Sequence, residues 1–170
     1  MENVYDRQRQ SKIQYWNGIA FRADLLNHAS KFDGFNKTQV RGTHNKVEFE
    51  NLQNTHNVKI VSTTPTSTMG IYEIEYQVPS YHPQNQTQMV GYKKVERKTV
   101  YDPTIYSDNE MLEMAQKAAV NGYDNAVLIF KSSNGKERGY DTEYNGIKFK
   151  AYLNKDDNGK IFIDNVHVIK

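Results

Sequence analysis

The chain of 170 residues has no cysteine, so a disulfide framework, a thiolate nucleophile and a cysteine-ligated zinc site are all excluded. It is equally poor in long apolar runs. No stretch approaches the ~18–20 residues of a membrane-crossing helix, and no charged-then-apolar targeting segment begins it. Charge of one sign is also lacking. Lysine and arginine number 22 against 20 acidic residues, for a net charge of +2. That balance argues against a strong electrostatic grip on long duplex nucleic acid and leaves room for a small basic patch. What remains is 37% hydrophobic residues with 12 tyrosines and 7 phenylalanines. Such a chain buries a core economically, with tyrosine filling volume that leucine fills elsewhere. The length suits one domain.

Residues 1–12 are polar without periodicity and read as a leader or linker remnant, with the domain itself over 13–170. Ile13, Trp16, Ala20, Ala23 and Leu26 recur at steps of three and four, which predicts a helix ending near His28. Residues 31–57 read as loop. Alternation predicts strands over Val58–Val61 and Ile71–Val78, joined by a loop holding Pro65 and Gly70. Residues 79–88 read as a second loop, and the lysine-rich stretch from Met89 to Tyr101 as one strand stopped by Asp102-Pro103. Ser107 or Asp108 can cap a helix whose stripe is Met111, Leu112, Ala115, Ala118 and Ala119, with Gly122 as its stop. The run Ala126–Phe130 reads as a central strand. Three more strands follow, spaced by Asn134-Gly135, Asn145-Gly146 and Asn158-Gly159 as hairpin turns. The expected fold class is α+β: a helical N-terminal part plus two small antiparallel sheets forming a cleft.

The five histidines divide by context. None forms an i, i+4 pair of the zinc-protease kind; zinc held by scattered histidines and carboxylates stays open. His56 and His82 fall in polar loops. His28 and His44 lie 16 residues apart across a segment holding Gly34 and Gly42, which can fold back on itself. Two imidazoles suit metal-free RNA cleavage. One takes the proton of the ribose 2′-OH and the other protonates the leaving 5′-oxygen. A cation or hydroxyl must then meet the charge building on phosphorus. Lys98 and Thr99 stand at the end of the basic strand for that role, with Lys93 and Lys94 as competing cations.

The segment Leu25-Leu26-Asn27-His28 through Arg41-Gly42-Thr43-His44-Asn45 resembles the paired-histidine region of EndoU-type endoribonucleases. The basic strand ending Arg97-Lys98-Thr99-Val100-Tyr101-Asp102-Pro103 and the closing hairpin from Gly146 are similar to that family too. The resemblance covers Leu25 to Lys170. It implies an EndoU-like fold and cleavage to a 2′,3′-cyclic phosphate, without cofactor or metal. His44 would be general base and His28 general acid, with Lys98 and Thr99 supporting the phosphate. Arg41, Tyr101 and His167 would bind substrate, His167 standing where the family often carries a tyrosine. In bacteria such domains are toxin warheads of contact-dependent inhibition systems. That implies an RNA substrate (tRNA among the candidates), a cognate immunity protein as partner, and otherwise a monomer. Location would be that of a secreted or surface-delivered toxin acting in the cytoplasm of a target bacterium. The rival reading is a non-catalytic binding module, of immunity or adaptor type, using the tyrosine-rich sheet as its contact face.

Overall fold

In a computed structural model, residues 13–170 are described, and they divide into two compact units. The expected leader lies outside the described residues. One unit combines residues up to Asn27 with residues Asn109–Ile169; the other runs from His28 to Asp108 and includes Lys170. The α+β class holds. The helical N-terminal part does not.

In the first unit, β1 (Ile13–Trp16) and β2 (Ile19–Arg22) form a hairpin where a long helix was expected. The cause is local. Asn17 and Gly18 take φ of 51° and 79°, the doubly positive pair of a two-residue hairpin turn, and this outweighs the three-and-four spacing. Only α1 (Leu25–Ser30), six residues long, is helical here, and it spans the boundary between the units. Helix α3 (Asp108–Asn121) follows its prediction, burying Met111, Ala115, Ala118 and Ala119. The run expected as a central strand lies inside helix α4 (Tyr123–Ser132). A short apolar run carries no period of its own. Here Ala126 and Phe130, one helical turn apart, are buried, while Leu128 and Ile129 face solvent. Asn134 and Gly135, both with positive φ, end that helix instead of turning a hairpin, with the Gly135 N–H donating to Phe130 O at 2.8 Å.

Strands β10 (Gly139–Tyr144), β11 (Ile147–Lys155) and β12 (Ile161–Val168) form the predicted meander, with Asn145-Gly146 at its first turn. The sheet order is β1-β2-β12-β11-β10, and β12 meets β2 in parallel at Ile163–Phe21. Alternation along β11 and β12 buries Phe149, Ala151, Leu153, Ile163, Val166 and Val168. The Tyr140 hydroxyl donates to Ala119 O at 2.6 Å, tying β10 to α3.

The second unit begins with β3 (Phe32–Asn36) and β4 (Gln39–Gly42), then helix α2 (Lys46–Thr55), all within a stretch expected to be loop. Helix α2 buries only Phe49 and Leu52, too few to write a period into the sequence. Strands β5 (Lys59–Pro65), β6 (Ile71–Gln77) and β9 (Glu96–Tyr101) make a three-stranded antiparallel sheet, ordered β5-β6-β9. β7 (Pro79–Tyr81) and β8 (Met89–Tyr92) pair separately. The long basic strand is thus two, parted at Lys93, whose N–H and C=O are taken by Val78 O and the Gln77 amide. The two sheets expected are, among the described residues, sheets of five and three strands with two further strand pairs. The core of this unit is Val40, Phe49, Leu52, Val58, Ile74, Tyr76, Val78 and Val100. Phe49 meets Tyr76 edge-on at 4.9 Å, and the Tyr76 hydroxyl accepts the Val40 N–H.

Candidate active site

His28, Arg41, His44, Lys98, Thr99 and Tyr101 all belong to the second unit. Their arrangement is built on the end of β4. Gly42 has φ +62°, and a Cβ on it would stand 2.3 Å from His28 O and 2.6 Å from Lys31 O. Only glycine lets this strand end press against the last turn of α1. Thr43 follows with φ +60°, although it is β-branched and fully buried. A residue held there costs on the order of 1–3 kcal/mol and persists only when its surroundings over-determine it.

The surroundings do so. The Thr43 N–H donates to Lys31 O at 3.1 Å, and the His44 N–H donates to Ala29 O at 2.7 Å. The His44 carbonyl accepts the Tyr101 N–H at 2.8 Å. At about 1 kcal/mol net for each hydrogen bond, the set offsets the strain. It also lays the backbone of residues 42–44 along the backbone of residues 28–31, so the two histidines leave adjoining segments.

The ring of His44 is fixed from β9. Its Nδ1 lies 2.8 Å from Thr99 O, and the residue is 8% exposed. A carbonyl only accepts, so Nδ1 carries the hydrogen and the neutral ring bears its lone pair on Nε2, the form a general base requires. His28 is arranged differently. Its Nδ1 lies 3.0 Å from Asp33 Oδ2, so a proton-bearing imidazolium there faces a countercharge.

Lys98 and Thr99 reach this place. The Lys98 ammonium donates to Val40 O and Gly42 O, each at 2.6 Å. Burial pushes it from 10.5 down to about 7. Tyr101 is 2% exposed, and its hydroxyl donates to Asp108 Oδ1. Burial is the main reason its phenol is pushed far up, with the Asp108 hydrogen bond adding to it. Arg41 is exposed and bends back so that Nε donates to Asp33 O at 3.0 Å. His167 lies in the other unit on β12, its ring stacked on Tyr152 at 5.8 Å. The competing cations are engaged locally, Lys94 with Glu96 and Lys93 with Lys37 O, and Lys46 pairs with Glu50. Among the described residues, no three His, Asp or Glu side chains gather as a metal cluster would. No described helix is long and apolar enough to cross a membrane.

Sequence reasoning missed the residues that hold this geometry. Asn45 caps α2, accepting from Val47 N and Glu48 N, while its Nδ2 donates to Asp108 Oδ1 at 2.9 Å. Asp108 thereby joins Asn45 and Tyr101 directly behind His44. The signal for Asn45 was legible: an Asn followed three residues later by Glu48 is a helix-start pattern. For Asp33, nothing local distinguishes it from a surface carboxylate, and Asp108 reads in the sequence only as a helix-cap candidate.

Over residues 26–165 the chain matches the family described as bacterial EndoU nuclease. It is 38% identical over 141 residues to a protein of Yersinia mollaretii named tRNA nuclease CdiA, which covers 82% of this chain and 4% of that protein. A protein of the same name from Escherichia coli is 34% identical over 147 residues, covering 84% of this chain and 4% of its own length. The chain thus spans a small fraction of the curated relatives it matches.

Proposed function

Because the chain belongs to the bacterial EndoU nuclease family, we propose that it is an endoribonuclease cutting RNA without a metal, by transesterification to a 2′,3′-cyclic phosphate. The observation that carries this reading is the His44 ring held by Thr99 O, on a turn laid along the segment that bears His28. In the proposed reaction, Nε2 of His44 takes the 2′-OH proton. The 2′-oxygen attacks phosphorus, and His28 gives its proton to the departing 5′-oxygen. The O–P bond formed and the P–O bond broken balance, and no water enters the step. Thr99 is the side chain assigned to the phosphate, while Lys98 serves the same site with its ammonium on Val40 and Gly42. Arg41 stands at an exposed position suited to a neighbouring phosphate. Tyr101 supports from behind, and His167, stacked on Tyr152 in the other unit, is assigned to substrate binding within its own unit.

The relatives are named for tRNA, so tRNA is the substrate class we assign. By the same likeness the chain acts as a contact-dependent growth-inhibition toxin, delivered from the surface of one bacterium into the cytoplasm of another and neutralised by a cognate immunity protein. The test is digestion of total RNA in EDTA with analysis of product ends. Cyclic phosphate ends are expected, with DNA spared because it lacks the nucleophile. His44→Ala should slow cleavage by ~10²–10⁴-fold with circular dichroism unchanged. Intact RNA, 3′-hydroxyl ends, or full activity in that variant would each overturn the mechanism.

A further inference from the structure

Strand β8 is apolar and yet exposed on both faces. Successive strand residues point to opposite sides, and here Met89, Val90 and Tyr92 are 44%, 55% and 41% exposed. A two-stranded ribbon is marginal by itself, and this one is tethered at its base. The Asn57 amide donates to the Tyr81 hydroxyl at 3.2 Å, the Gln77 amide to Lys93 O at 2.7 Å, and the Lys93 N–H to Val78 O at 2.9 Å. The connecting loop is shaped too. His82 Nδ1 accepts the N–H groups of Gln84 and Asn85, which leaves Nε2 bearing the hydrogen.

Charge sets this place apart. Between Glu50 and Glu73, and again between Glu75 and Glu96, the chain has no aspartate or glutamate. Those two stretches supply β5, β7 and β8. Lys59, at the start of β5, holds its ammonium 5.4 Å from the centre of the Tyr92 ring, with no carboxylate paired to it among the described residues. Of the two carboxylates on β6, Glu73 pairs with Lys170 at 3.2 Å and Glu75 stands across from Arg97.

We propose that the β7–β8 pair, with Lys59, is a stacking platform for an unpaired stretch of the substrate RNA. An exposed ring with a cation beside it suits a nucleotide, the base on the ring and the phosphate at the ammonium. A protein partner would seal an apolar patch. The loop beside this one instead carries the exposed amides of Gln84, Asn85, Gln86 and Gln88, which can pair with base edges. Register gives the distance. Lys59 pairs with Gln77, and Thr99 with Glu73, four residues back along β6. At 3.3 Å per residue the platform lies ~13 Å along the sheet from Thr99. At 3.4 Å per stacked nucleotide, that is roughly four nucleotides from the phosphate assigned to Thr99. The proposal rests on the reading of the chain as an endoribonuclease.

The experiment measures binding before cleavage. In a His44→Ala background, fluorescently labelled bulk tRNA is titrated against Tyr92→Ala, Tyr92→Phe and Lys59→Gln. Tyr92→Ala should weaken binding roughly 5- to 150-fold, the range for one base–aromatic stack, and Tyr92→Phe should stay within about twofold. Lys59→Gln, at an exposed position where folding is not at stake, should make the slope of log affinity against log salt shallower by about 0.7. A single-stranded oligoadenylate should compete, and an RNA duplex of equal length should not. With His44 restored, Tyr92→Ala should lower kcat/KM for tRNA by the same factor and leave that for a dinucleotide unchanged, since a dinucleotide cannot reach the platform. Unchanged tRNA affinity and salt slope would overturn the proposal and make the pair a protein contact face. Equal losses on tRNA and dinucleotide would overturn it as well, by showing that Tyr92 shapes the site itself. If the wild type cuts no RNA, the nuclease reading falls, while the titrations in the His44→Ala background still decide the platform.

Discussion

At the residue scale, Lys98 pairs a cost with a use. Burial disfavours its charged form and draws it from 10.5 to about 7. Between those values the unfolded chain holds a proton that the folded protein has released, so the lysine makes stability rise with pH across that window. Above 10.5 the penalty is absent, and below about 7 it applies in full. A neutral amine still carries two hydrogens, enough for both Val40 O and Gly42 O, so both bonds survive deprotonation. Urea unfolding at pH 7, 8 and 9 should therefore show the wild type gaining on Lys98→Met by up to ~1.4 kcal/mol per pH unit. Parallel curves for the two proteins would show that the ammonium is not desolvated. That the segments bearing His28 and His44 adjoin was legible in their spacing and in Gly42 between them. The partners of Lys98 were not, because a lysine in a basic run reads the same whether it faces water or carbonyls.

Elements were legible where their signal was local and long. Helix α3 carries a four-residue alanine and methionine stripe, and β10–β11 carries alternation with Asn145-Gly146 between. Both stand where the sequence placed them. The failures have separate physical causes. Asn17-Gly18 folded Ile13–Arg22 into a hairpin despite helical spacing, since a tight turn fixes direction before any face is buried. Asn134-Gly135, a dipeptide equally fit for a hairpin, instead closed the helix holding Ala126–Phe130. Around the site, α2 has two buried residues and an Asn45 cap. Its existence depends on β6 and β9 supplying Tyr76 and Val100 to cover Phe49 and Leu52, a tertiary contribution that no window of α2 contains.

At the scale of the whole molecule, the near-neutral charge means that any preference for RNA is local, and cations such as Lys46 and Lys94 pair with nearby carboxylates. The toxin reading makes a demand at this scale. Expression without a protecting partner should slow bacterial growth and deplete tRNA, and normal growth with folded, soluble protein would remove that reading while leaving the nuclease. The order of the chain has a separate consequence, for kinetics. The unit carrying the paired histidines is an almost unbroken stretch from His28 to Asp108, whereas the five-stranded sheet joins Phe21 to Ile163. A two-stranded hairpin such as β1–β2 is marginal by itself, and closing so long a loop is slow. Pulsed hydrogen–deuterium labelling during refolding should find amides of β5, β6 and β9 protected before those of β12; simultaneous protection would refute this order. On a ribosome the same asymmetry makes β2 wait as an unsatisfied edge until β12 has emerged, so the stretch carrying the paired histidines can be organised while the sheet flanking it in sequence is still unfinished.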